Sequence, residues 1–137
     1  MSGFKGTGTC NATLDAWLGS TTLGPATAYC AAFTSAPTAA GGGTEVSGGS
    51  YARVAITNNS TNFPNASGAS KNNGTAIDFG TASADWGNIT WAAIVKTSSG
   101  ALGASDIIYA GPLVTARNVL NGDSFKVPVS GATFTEV

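Results

Sequence analysis

Asp78 and Asp85 stand seven positions apart and flank Phe79–Ala84. A carboxylate pair can serve glycoside hydrolysis or hold a hard cation. Here the intervening residues do not force the two together and no third acidic partner is near, so both read as turn-capping residues, as does Asp123 after Asn121-Gly122. Ser2-Gly3-Phe4-Lys5 spells S-x-x-K, but the companion S-D-N and K-T-G strings are missing, and no G-x-S-x-G occurs. The chain has no His, which removes His-assisted catalysis and the commonest transition-metal ligand. Thr38–Gly49 carries five glycines but no Lys-Ser/Thr follows them; the stretch reads as a flexible loop between strands rather than a phosphate cradle. Trp86, Trp91 and Tyr109 could form a sugar-stacking platform. Of these, Trp91 reads as core, and Trp86, just before Gly87, as a partly exposed residue at a strand start. Arg53 and Arg117 are the only arginines; one could pair with a carboxylate across a subunit boundary, and a surface or covered strand position fits equally well. No catalytic constellation, metal set or cofactor site emerges, and the chain is not expected to be an enzyme.

The elements that must position these residues are short and mostly extended. Met1–Cys10 is Gly-rich and reads as a flexible arm. In NATLDAWLG, Asn11 or Thr13 can cap a helix, Leu14, Trp17 and Leu18 share an apolar side, and Gly19 can end it. Period-2 alternation predicts strands over Ala26–Phe33, Tyr51–Thr57 and Asn88–Lys96, with a short one at Ala76–Phe79. In Asn88–Lys96, Ile89, Trp91, Ala93 and Val95 fall on one face. Ile107–Ala110 and Leu113–Val119 read as two runs broken at Gly111-Pro112. Asn121-Gly122 is a hairpin signal, after which Phe125, Val127 and Val129 share a face. Phe134 lies in a last strand. Asn58–Thr75 reads as a long polar loop. The pattern predicts a mostly β protein: an antiparallel β-sandwich or jelly-roll-like fold over 11–137, with one short N-terminal helix.

Composition narrows the function classes. The 137 residues suit one domain. Only 9% are charged and the net charge is −1, which argues against a nucleic-acid partner and against polybasic membrane attachment. Polarity comes instead from 18 Thr, 14 Ser and 10 Asn, set among 19 Gly, a mixture that favours strands and turns. Met1–Cys10 lacks the apolar stretch of a signal peptide, so no targeting segment is expected. Six Asn-x-Ser/Thr triplets occur, as chance allows in so Asn-, Ser- and Thr-rich a chain. Cys10 and Cys30 could pair, although Cys30, in an apolar run, reads as a buried free thiol.

Taken in order, the helix with Leu14, Trp17 and Leu18, the string at Ala28–Thr57, IDFGTASADWGNITWAAIVKTSSG at Ile77–Gly100 and the closing Ile107–Thr135 resemble a family of small virion proteins of tailed bacteriophages, often labelled tail-fibre or structural proteins. The most specific piece is F-T-x-x-P-x-x-A-G-G-G-T-E-V-S-G-G-x-Y-A-R at Phe33–Arg53, followed by A-D-W-G-x-I/V-T at Ala84–Thr90. The resemblance implies a virion part assembled in the host cytoplasm. The first expectation is a capsid decoration (cement) protein that binds the major capsid protein and copies of itself, a trimer being one arrangement. Phe4, Lys5, Gly41, Gly42, Gly43, Glu45, Arg53 and Trp86 are its candidate contact residues. The alternative is a tail or tail-fibre component whose polar loop and Trp86 contact a host receptor glycan.

Overall fold

The computed structural model describes residues 3–19 and 24–135. Within them one helix, α1 (Thr7–Gly19), precedes the strands β1 (Thr27–Ser35), β2 (Thr44–Glu45), β3 (Val54–Thr57), β4 (Ser70–Asn72), β5 (Ile77–Thr81), β6 (Gly87–Val95), β7 (Ile107–Val119), β8 (Ser124–Val127) and β9 (Thr133–Thr135). The chain is mostly β, with antiparallel sheets in a sandwich-like arrangement and a short N-terminal helix.

AYCAAF and ITWAAIV are apolar almost without interruption because β1 and β6 are covered on both faces. β1 pairs β6 along Tyr29–Phe33; on its other side it pairs β3 over Thr27–Cys30 and then β2. β7 adds to β6 at the far edge. The ribbons β4–β9 and β5–β8 form two small sheets. One core unites Ala28, Cys30 and Ala32 of β1, and Ile89, Ala92 and Ile94 of β6, with Ile77, Phe79, Phe125, Val127 and Phe134 from the ribbons. The second core, Ala31, Phe33, Trp91, Ala93, Val95, Ile107 and Ala110, is covered by Phe4, Ala36 and Leu102. The alanines leave room for both covering layers, and burial of this apolar surface is the main force holding them.

Several expectations are corrected. Ile89 does not share a face with Trp91: it lies in the first core and Trp91 in the second. Trp91 pairs with Pro112 but Ile89 with Arg117, so β6 advances two residues while β7 advances five. This bulge breaks the alternation, and the same bulge carries β7 past Gly111-Pro112 as one strand. Pro112 is tolerated there because β7 is an edge strand. Next, Asn121-Gly122 does turn the chain, with Gly122 at φ +89° and the Asp123 N–H bonded to the Leu120 carbonyl at 2.9 Å. It makes no hairpin, however, since β8 pairs with β5 rather than β7. Val129 is exposed, unlike Phe125 and Val127.

The arm is also not loose over its described part. The Phe4 N–H donates to the Ala110 carbonyl at 2.7 Å and the Ala110 N–H returns a bond to Phe4 at 2.8 Å, extending the β7 edge by a bridge. Phe4 packs 5.9 Å from the Trp91 ring. The helix then begins at Thr7, where Gly8 lies so close to Ser105 that a Cβ would collide with its backbone. Met1 and Ser2, and with Ser2 the S-x-x-K spelling, lie outside the described residues. Finally, Asn58–Thr75 contains β4 and is fastened from within. Asn73, 1% exposed, donates to the Thr75 and Pro128 carbonyls and accepts from the Ala132 N–H.

Candidate interaction surfaces

Tyr51 and Arg53 occupy alternate positions of an extended stretch and therefore project to the same side. Both reach Glu45. Arg53 makes a two-pronged ion pair, Nε to Oε2 and Nη2 to Oε1, each at 2.8 Å. Its remaining N–H groups go to the Thr97 carbonyl and hydroxyl at 3.0 Å and to the Gly100 carbonyl at 2.6 Å. All five guanidinium donors are thus used within the chain, and the Arg53 side chain is only 4% exposed. The Tyr51 hydroxyl donates to Glu45 at 2.7 Å and accepts from the Ala32 N–H at 2.9 Å. Burial pushes the Tyr51 hydroxyl above its ordinary range, the Ala32 bond opposes this, and the Glu45 bond and charge add to it. The bonds to Glu45 hold the Arg53 guanidinium above its ordinary value against the effect of burial.

This clamp ties β1, β2, the approach to β3 and the loop after β6 together. Of the alternatives read for Arg53, the covered position holds and the carboxylate partner across a subunit boundary does not, because its partner is Glu45 of the same chain. The spacing of Tyr51 and Arg53, with one acidic residue six and eight positions upstream, was the available signal.

The other candidates divide by exposure. Trp86 is corrected from a partly exposed contact to a core residue: it is 5% exposed, its Nε1–H donates to the Gly49 carbonyl at 2.9 Å, and it meets Tyr51 edge-on at 5.7 Å. Trp91 and Tyr109 are buried too, in different cores, so the three rings form no platform. Gly41 is buried at φ +107°, and a Cβ there would strike the Leu102 carbonyl; bonds in both directions with Thr38 make this a built turn rather than a flexible loop. Gly42 and Gly43 are exposed beside it, while Phe4 and Lys5 are half-buried along β7. Asp78 accepts from the Gly80 N–H, Asp85 from the Asn121 N–H and Asp123 from the Leu120 N–H, the capping expected of them. Cys30 is a buried free thiol whose pKa burial pushes up to about 12, and Cys10 is free and exposed.

What faces outward was not foreseen. The apolar side of α1 points away from the body: Leu14, Trp17 and Leu18 are 60%, 82% and 85% exposed. Beyond Leu113, β7 bows out through Val114–Asn118, which are all exposed, and a groove of about 540 Å³ runs between this bow and the Pro128–Gly131 turn. The periodicity identified an apolar side of α1; it carried no information on which way that side faces.

A two-layered β module with capped loops, an internally satisfied ion pair and an outward apolar helix has the features of a structural assembly part. The family described as Podophage GP4 fiber I protein gp80 matches residues 7–135, and the chain belongs to it. It is a bacteriophage virion structural protein. No curated protein matches the chain.

Proposed function

We propose that the protein is a fibre component of a podophage particle, a building part that associates with copies of itself and neighbouring virion proteins and carries no catalytic step of its own. The observation carrying this reading is the family match across nearly the whole chain, whose name is that of a fibre protein. The absence of a catalytic role is supported by Asp78 and Asp85, whose carboxylates are spent on separate backbone N–H groups. A net charge of −1 suits protein neighbours better than nucleic acid or a membrane surface. Glycan contact through Trp86 loses its basis with that ring buried.

A second reading, a decoration protein on the major capsid protein lattice, is favoured by the small single-domain size and the lack of a fibre-like repeat in the sequence. Immunogold labelling of intact particles separates the two. Label confined to the tail apparatus supports the fibre reading, and label spread over the head replaces it with decoration. A protein missing from purified particles overturns both.

A further inference from the structure

We infer that the outer face of α1 is a homotypic contact, through which copies of this chain associate helix against helix at Leu14, Trp17 and Leu18, with Cys10 on the same stripe. This deepens the proposed function by naming the self-association surface, and rests on it only for where in nature the copies meet.

The first support is the inverted burial of the helix. Gly8, Thr9, Ala12, Thr13 and Ala16 lie on the half-buried side, while Cys10, Leu14, Trp17 and Leu18 are exposed on the other. A helix that served only its own domain would turn its large apolar side chains inward. The spacing of four and then three from Cys10 to Leu14 to Trp17 is the spacing of a seam between two helices.

The second support is the stability of the helix itself. α1 has thirteen residues and none of them is buried; helices of roughly 12–15 residues are marginal in water unless packed. Gly8 and the threonines at 7, 9 and 13 are poor helix formers. Among the described residues, the hydrogen bonds that tie α1 to the body fall in its first half, where the Gly8 N–H donates to the Ala104 carbonyl and the Thr9 hydroxyl to the Ile107 carbonyl, each at 2.8 Å. The second half, which holds the three large side chains, needs a cover.

The third support concerns the occupant. Leu14, Trp17 and Leu18 leave on the order of 400 Å² of apolar surface exposed per copy, about half of what one partner buries in a standard interface. The stripe itself carries no charged residue, and Asp15 lies on its flank. Such a face is complementary to itself and offers nothing to a charged partner. At a net charge of −1 the copies hardly repel one another.

Sedimentation analysis of the purified full chain tests this, alongside the Leu14→Ser/Trp17→Ser variant. The wild type is expected to sediment as an oligomer. The variant should self-associate on the order of thirtyfold more weakly, as loss of a hot spot does, and should keep the β-sheet part of its far-UV spectrum because neither side chain is in a core. A short bis-maleimide should join wild-type copies through Cys10, the exposed thiol, and should not join Cys10→Ser copies. A wild type that stays monomeric up to its solubility limit overturns the inference, as does a variant that retains the wild-type mass. Absence from purified particles would defeat the fibre reading while leaving the solution result intact.

Discussion

Replacing Arg53 by Ala removes five hydrogen bonds at once. The Glu45 carboxylate loses both of its guanidinium contacts and keeps only the Tyr51 hydroxyl, while the Thr97 and Gly100 carbonyls lose a charged donor. Breaking a buried ion pair by removing one partner costs about 3–5 kcal/mol. The Glu45 side chain is 22% exposed and recovers part of its hydration, which places the expected loss near the lower end, about 3 kcal/mol. For 137 residues, the unfolding entropy of roughly 2.1 cal/mol/K per residue turns that into a fall in Tm of about 10 °C. Urea unfolding of Arg53→Ala, Glu45→Ala and the double variant would isolate the pair, with an expected coupling of about 2 kcal/mol. Arg53→Lys should recover little, because an ammonium cannot supply the planar fork that reaches both carboxylate oxygens and two carbonyls. A loss below about 1 kcal/mol for Arg53→Ala would match an ordinary surface pair and refute the claim that this clamp holds the sheet edge.

Trp91→Ala, at a site 7% exposed, should lower stability by about 3–5 kcal/mol in denaturant unfolding; a near-zero change would remove Trp91 from the core. Deleting residues 1–6 takes away the paired Phe4–Ala110 bonds and uncovers Trp91, so a loss of about 2–4 kcal/mol is expected. An unchanged unfolding midpoint would restore the picture of a loose arm. The folded state holds the Cys30 thiol protonated up to about pH 12, against 9.0 for the free group. Its stabilising contribution is therefore full below about pH 9 and is lost as pH rises towards about 12. Thermal midpoints measured across that range should fall less steeply in Cys30→Ala than in the wild type, and parallel slopes would contradict the linkage.

The strands were legible where alternation or apolar runs reflect a buried face, as in β1, β6, β5 and β8. What failed was information that resides between strands. The alternation of Asn88–Lys96 is regular in the sequence, yet Ile89 changes sides because extra residues of β7 are accommodated opposite it. The bulge belongs to the pair, and neither strand encodes it alone. Asn121-Gly122 was read correctly as a turn, since that chemistry is local, but partner choice is set by which sheet buries Phe125 and Val127. The exposure of tryptophans was misjudged for a similar reason. Trp86 and Trp17 have comparable local contexts, one before Gly87 and one shortly before Gly19, and only the tertiary structure buries the first and leaves the second in water.

The polar composition, by contrast, acts locally and reveals how the loops are held. Asn59 caps the Thr61 and Asn62 N–H groups, the Thr75 hydroxyl donates to Asn62, and Asp78, Asp85 and Asp123 each take a backbone N–H. Amides, hydroxyls and carboxylates bonded to backbone N–H groups thus do the work that surface ion pairs do in more charged proteins. These bonds depend little on ionic strength, because each joins at least one uncharged partner. The same economy leaves few charges outside to keep molecules apart. With the loops stiffened from within and the large apolar residues of α1 turned outward, association requires little further ordering of the chain, and low ordering cost is what allows a modest apolar face to hold a partner.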